Sequence, residues 1–204
     1  MGCQACKREP VFRCYICGST ICQNHIRLLP LCPTHVTRHR LAYRIEEEVR
    51  PQDGPLGKWI EELFLRSGEE PLTLTFGRTF RVLDLPRFTA YVKERPVAFL
   101  SYAELEDDLL IVAFAVLPEF QHRGIGRSLI DRASQRAVEH SKSRLLVSTS
   151  NDNVPALCFY LHHGFRIIEI QRDLLTRKHG QTFSGIMGIQ IRDEIQLEKE
   201  LSEL

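Results

Sequence analysis

The chain has 204 residues, 43% of them hydrophobic and 26% charged, with a formal net charge of +1. At about 150 residues per domain that length fits one domain plus a small module, and the composition excludes the disordered and collagen-like classes. Six of the seven cysteines fall within residues 1–35. Residues 1–45 carry seven Lys/Arg against one Glu, whereas residues 46–204 carry 20 basic against 25 acidic residues. The chain therefore reads as two chemically different pieces. No charged segment followed by an apolar run opens the sequence, so no secretory signal and a cytoplasmic location are expected. In the second piece the longest stretch without Lys, Arg, Asp or Glu, residues 179–191, is thirteen residues long and broken by three glycines. That is short of the roughly 20 apolar residues a membrane span needs. Met1-Gly2-Cys3 is not followed by Ser or Thr at position 6, where Cys6 stands, so the myristoylation pattern fails.

In a reducing compartment clustered cysteines point to metal. Cys3-x2-Cys6, Cys14-x2-Cys17, Cys22-x2-His25 and Cys32-x2-His35 supply eight ligands, enough for two closed tetrahedral Zn2+ sites. With no ligand position left for water, such zinc is structural. A segment this short buries too little apolar surface to offset its chain entropy, so metal binding would supply its folding free energy. The order of the pairs resembles the B-box and related cross-brace zinc fingers, over residues 1 to about 38. The resemblance implies one ion on Cys3, Cys6, Cys22 and His25 and a second on Cys14, Cys17, Cys32 and His35; sequential pairing is the alternative that spacing leaves open. His39 lies outside the spacing and reads as a surface residue. Filling both sites lowers the charge of this region from +6 to about +4, because coordinating thiols are deprotonated. Its basic side chains are scattered and Tyr15 is the one aromatic within the ligand loops, so a protein partner is expected ahead of nucleic acid.

In residues 37–49, Leu41, Ile45 and Val49 stand four apart, which predicts a connecting helix. Arg50-Pro51-Gln52-Asp53-Gly54-Pro55 then breaks it. The expected organisation is a zinc module at 1–38, a helical connector and linker at 39–56, and a second domain at 57–204. Trp59, Leu63 and Phe64 suggest a short amphipathic helix, and strand-like segments follow at 72–76, 80–84 and 88–93. Residues 97–105 and 109–117 read as an antiparallel hairpin around Glu106-Asp107-Asp108. A glycine-rich turn then opens a helix with Leu129, Ile130, Ala133 and Ala137 on one side. A strand at 144–148, a helix at 154–163, a strand at 165–170 and a last strand at Ile195-x-Leu197 complete an α/β fold with mixed strand directions.

A glycine turn between strand and helix presents free N–H groups and the positive end of the helix dipole to an anion such as pyrophosphate. It is neither a GxGxxG fingerprint nor a Walker motif. Gln121-x2-Gly124-x-Gly126 and, about 25 residues on, Asn153-x2-Ala156-x2-Phe159-Tyr160-x3-Gly164-Phe165 together resemble the two signatures of the GNAT acetyltransferase superfamily. The resemblance spans residues 57–204, is strongest over 112–165, and includes Asp193-x-Ile195-x-Leu197-x-Lys199-x-Leu201, which is similar to the family's closing strand. It implies a central mixed, mostly antiparallel sheet flanked by helices. It also implies acetyl-CoA as co-substrate and direct transfer of acetyl to a primary amine on a small molecule or protein. The N–H groups of Arg123, Gly124, Ile125, Gly126, Arg127 and Ser128 would surround the pyrophosphate, with polar contacts from Gln121 and Arg127. The pantetheine would run along Ala115 and Val116, the Val116 N–H meeting the thioester oxygen. Asn153 would position the cofactor arm, and Tyr160 would give a proton to the departing thiolate.

An ammonium acceptor must lose a proton before attacking. The inward positions within 109–116 are all apolar, and Glu104, Asp107 and Asp108 read as a solvated turn, so the residues name no base. Cys158 reads as a small packed side chain, and His162 and His163 as surface residues. Residues 171–188 form a long segment expected on the acceptor side. The non-catalytic alternative is an acyl-CoA-sensing adaptor or regulator that binds protein or RNA through the zinc module.

Overall fold

A computed structural model of the chain describes residues 12–13, 20–21, 41–49, 54–66 and 70–201. The eight cysteine and histidine positions read as zinc ligands lie outside these residues, as does His39. In the first forty residues the described parts are β1 (Phe12–Arg13) and β2 (Thr20–Ile21), an antiparallel pair that brackets Cys14-x2-Cys17 in sequence.

The remaining elements, in chain order, are β3 (Arg44–Glu48), α1 (Pro55–Arg66), β4 (Leu72–Thr75), β5 (Arg78–Arg81), β6 (Arg87–Val92), β7 (Arg95–Glu104) and β8 (Asp108–Val116). They continue with α2 (Ile125–Glu139), β9 (Arg144–Ser150), α3 (Val154–His162), β10 (Arg166–Gln171), α4 (Leu174–His179), β11 (Phe183–Ser184), β12 (Gln190–Ile191) and β13 (Glu194–Glu200). Seven strands form one sheet in the order β10-β13-β9-β8-β7-β6-β3. Every neighbouring pair is antiparallel except β8 with β9, which are joined through α2. The two-stranded pairs β4-β5 and β11-β12 stand outside it.

Alternation along the strands divides the core between the sheet's two faces. On one face Leu100, Tyr102, Leu109, Ile111, Leu145, Val147, Ile195 and Leu197 pack with Leu129, Ile130, Ala133 and Ala137 of α2 and Tyr160 of α3. On the other, Phe99, Leu110, Val112 and Leu146 pack with Ile60, Trp59, Leu63 and Phe64 of α1 and with Phe76 and Phe80 of the β4-β5 hairpin. Both helices dock as their sequence periodicity predicts. Each fully buried Leu or Ile of α2 contributes about 1.5–3 kcal/mol of transfer free energy.

The predicted connecting helix is absent over 44–48. These residues are instead an edge strand paired antiparallel with β6 from Arg44↔Tyr91 to Glu48↔Arg87. Leu41 and Ile45 fit a four-residue spacing, but with Tyr43 they also fit a two-residue alternation, and all three pack against the α2-side core. Val49, which only the helical template required to be apolar, is half exposed. Backbone pairing with β6 decides the conformation, so the described part of the sheet domain reaches back to Leu41 and residues 44–48 belong to its sheet. The strand is held by Arg87, 1% exposed and 3.0 Å from Glu48, and by Tyr102, whose hydroxyl donates to Glu47 at 2.7 Å.

Candidate active site

β8 and β9 pair only from Asp108↔Arg144 to Ile111↔Val147, yet β8 runs on to Val116 and β9 to Ser150. The divergence begins at a bulge. Ser101 of β7 faces Ala113 and Tyr102 faces Ile111, which leaves Val112 without an opposite residue and bends β8 at that point. From Ala113 to Val116 the strand passes from buried to half-buried. The Leu117 N–H donates to the Val97 carbonyl at 2.9 Å. Counting back by alternation, Ala115 and Ala113 direct their backbone groups to β7, whereas Phe114 and Val116 direct theirs into the gap. Of the two residues expected along the pantetheine, Val116 therefore offers its N–H to the gap, and Ala115 offers its methyl on the α1 face.

Above the gap stands the N-terminus of α2. Gly124, at φ +88, makes the turn in a backbone region that L residues avoid. The Ile125, Gly126 and Arg127 N–H groups fall in the first turn, where no intrahelical acceptor exists. The Ser128 N–H differs from expectation: it donates to the Gly124 carbonyl at 3.1 Å and so belongs to the helix ladder, not to the set of free donors. The Ser128 hydroxyl is hydrogen-bonded to the Tyr43 hydroxyl at 2.7 Å. Gln121 Nε2 donates to the Val116 carbonyl at 3.0 Å, a latch that fixes the turn to the end of β8. Gly126 is required for contact: a Cβ there would lie 3.3 Å from ring carbons of both Phe114 and Phe159. Arg123 is exposed at the turn, and Arg127, also exposed, lies 3.7 Å from Asp131.

Tyr160 lies on α3 within the α2-side core, 5% exposed and ringed by Phe114, Phe159 and Phe165. Burial pushes its phenol well above the usual tyrosine value, so the ring keeps its proton. Asn153 caps α3, its Oδ1 accepting from the Ala156 N–H at 3.2 Å, and its Nδ2 remains as a donor. Cys158 is half-buried. His162 is exposed as expected, but His163 is half-buried: its Nδ1–H donates to the Phe159 carbonyl at 2.8 Å and its ring lies 4.3 Å from that of Phe159. Burial lowers its pKa.

The carboxylates read as a solvated turn are partly structural. Asp108 is 9% exposed and takes a bidentate contact from Arg144 at 2.7 and 3.0 Å, while Glu104 faces Arg136 and His140. They sit at the opposite end of β8 from Val116, about 25 Å away at 3.3 Å per residue, and cannot serve as its base. Three buried carboxylates escaped the sequence reading: Asp152, Glu194 and Glu198, the last 6% exposed. Asp152 is 4% exposed, its Oδ2 accepting from the Ile186 N–H at 2.9 Å. Glu194 is 3% exposed on β13, its Oε2 accepting from Gln196 Nε2 at 2.9 Å. The two-residue alternation of Glu194, Gln196 and Glu198 against Ile195 and Leu197 was the available signal. Among the described residues no cluster of three or more His, Cys, Asp or Glu has the arrangement of a metal site. None of the described helices is long and apolar enough to cross a membrane.

Residues 55–165 match the family model described as the acetyltransferase (GNAT) family. The uncharacterized N-acetyltransferase YvbK of Bacillus subtilis is 31% identical over 91 residues, which cover 45% of this chain and 58% of YvbK. Among solved structures, the IAA acetyltransferase of Bacillus cereus superposes with a TM-score of 0.62 at 24% identity, over 78% of this chain and all of that one. A GNAT family acetyltransferase from Elizabethkingia anophelis with acetyl-CoA bound gives 0.59 at 20% identity, over 78% of this chain and 98% of that one. At these identities the two structures establish a shared fold.

Proposed function

Because the chain belongs to the GNAT acetyltransferase family, we propose that it moves the acetyl group of acetyl-CoA to a primary amine by direct attack in the gap between β8 and β9. The observation that carries this reading is the conjunction of two unsatisfied backbone surfaces. The first-turn N–H groups of α2 suit a pyrophosphate, and the splayed edge of β8 below them suits an extended amide-bearing arm. Gln121 ties one to the other at 3.0 Å.

In this reading the chain binds the diphosphate through Ile125, Gly126 and Arg127 N–H, with Arg123 and Arg127 adding positive charge. Phe114 and Val116 present main-chain groups to the arm, and the Val116 N–H donates to the thioester oxygen, a bond that strengthens as charge develops there. Asn153 Nδ2 contributes a polar contact from the head of α3. The acceptor ammonium first gives a proton to solvent. Its nitrogen then bonds to the acetyl carbon as the carbon–sulfur bond breaks. The nitrogen sheds a second proton as the sulfur takes one up and leaves as thiol, so amide, thiol and one net proton balance the ammonium and thioester consumed. Tyr160, kept in its protonated form by its apolar cage, is the donor assigned to the departing sulfur.

The zinc reading rests on the four ligand pairs of residues 3–35 and their spacing. We assign them two structural Zn2+ ions and a role in recruiting a protein partner or orienting the substrate, with 1–38 as a separate module from the sheet domain.

Thiol release from acetyl-CoA, followed across a panel of amines and peptide N-termini, tests the enzymatic reading. Wild type is expected to turn over at least one acceptor, and Tyr160→Phe to lower kcat by about 10²-fold or more, with acetyl-CoA binding retained. Undiminished turnover in Tyr160→Phe would remove Tyr160 from the chemistry, and no thiol release with any acceptor would overturn the reading.

A further inference from the structure

A cleft of about 360 Å³ opens on the α1 face of the sheet, between the β4-β5 turn at Phe76 and Gly77, Glu169 and Gln171 of β10, and Glu194 and Gln196 of β13. Its position follows from register. Glu194 pairs with Ser150, the last residue of β9, three residues beyond Val147, which is level with Ile111. Glu194 thus stands level with the unpaired end of β8. Ile195 and Leu197 face the α2 side, so Glu194 and Gln196 face the side on which Ala113 and Ala115 of β8 lie. Two strand spacings of about 4.8 Å put Glu194 at least roughly 10 Å across the sheet from β8, a distance the splay of β8 from β9 widens, beyond the gap where acetyl transfer is proposed.

β13 supplies its own comparison. Glu198, on the same face and buried to a similar degree, is neutralised by two arginines, Arg144 at 3.1 Å and Arg166 at 2.7 Å. Glu194, 3% exposed, has no Arg, Lys or His partner among the described residues. It receives two hydrogen bonds from neutral donors, the Gln196 amide at 2.9 Å and the Phe76 N–H at a long 3.4 Å. A buried carboxylate is costly unless a cation accompanies it. Here the missing cation faces a cleft whose other polar side chains, Glu169, Gln171 and Gln196, are acidic or neutral.

We propose that this cleft is the acceptor subsite and that Glu194 binds a second positive charge on the acceptor, one spacer away from the amine that is acetylated. The preferred substrates are therefore alkyl diamines or polyamines over monoamines of equal length. The inference rests on the acetyltransferase reading above and adds acceptor class to it. Glu194 acts as a specificity-determining residue; it exchanges no proton with the reacting nitrogen.

The test compares 1,5-diaminopentane with pentylamine. Calorimetric titration of the full chain saturated with CoA reads the subsite whether or not turnover occurs. The diamine is expected to bind at least tenfold more tightly than the monoamine. Glu194→Gln should abolish that difference, and Glu194→Asp, which keeps the charge, should preserve a preference at weaker affinity. In turnover Glu194→Gln should raise KM for the diamine by a larger factor than it changes kcat, and by a larger factor than it raises KM for the monoamine, a split that general destabilisation would not give. Equal binding of the two amines to wild type, or a preference that survives in Glu194→Gln, overturns the proposal. Absence of acetylation despite selective diamine binding would instead overturn the acetyltransfer reading and leave the subsite standing.

Discussion

Gly124 is the residue on which the anion cradle turns, and Gly124→Ala isolates its conformational role. At φ +88 an L side chain is strained, while an added Cβ would meet nothing within 4 Å. The cost is thus backbone strain alone, about 1–2 kcal/mol. For a domain of 150–250 residues that corresponds to a fall in Tm of roughly 2–8 °C if the turn holds its shape. If the turn relaxes, the N–H groups of Ile125, Gly126 and Arg127 no longer converge, and the same free energy appears as CoA binding weakened about five- to thirtyfold. Thermal melts and calorimetric titration with CoA, run on wild type, Gly124→Ala and Gly124→Asn, separate these outcomes. Asparagine tolerates the left-handed region and should recover much of the loss. An alanine variant that melts and binds like wild type, or an asparagine variant as impaired as alanine, would refute the reasoning.

Glu48→Ala should destabilise the sheet domain by about 3 kcal/mol, the low end for breaking a buried ion pair, because Arg87 is 1% exposed but Glu48 is 34% exposed; urea melts showing a loss under 1 kcal/mol would contradict this. His163 is held below the usual value of about 6.5 by burial. The unfolded chain therefore binds its proton first: the stability is complete above pH 6.5 and is lost as pH falls from there toward the folded pKa. Denaturation curves at pH 7.5 and 5.5 should show a smaller loss in His163→Gln than in wild type, and equal losses would remove the assignment. Chelation should release two zinc ions per chain by metal analysis and unfold residues 1–38 while acetyl-CoA binding persists. Loss of that binding would show that the two pieces are not independent.

Much of the fold was legible because its signals are local. The hairpin of β7 and β8, the α2 face built on Leu129, Ile130, Ala133 and Ala137, and the glycine turn all follow from periodicity and turn chemistry within a short window. β3 was not, since Leu41 and Ile45 satisfy both helical and extended templates and a pairing 47 residues distant, Arg44 with Tyr91, decides between them. The site divides in the same way. Gly124 and Gln121 are motif positions with local geometry, whereas the orientation of Val116 depends on a bulge at Val112 that only the β7 register reveals. Ser128 falls out of the free donors because its N–H closes the first helical bond, a one-residue distinction beyond the precision of motif spacing. For Glu194 the strand alternation of residues 194–198 gave its side of the sheet but not its burial, which comes from a hairpin near residue 76, far away in sequence.

The most direct test of the account is a crystal structure of the chain with acetyl-CoA bound. It should show the pyrophosphate oxygens within about 2.7–3.2 Å of the Ile125, Gly126 and Arg127 nitrogens, the arm along the free edge of β8, and the thioester oxygen on the Val116 N–H. A pyrophosphate bound elsewhere, with those three N–H groups hydrogen-bonded to water and the gap between β8 and β9 empty, would contradict it.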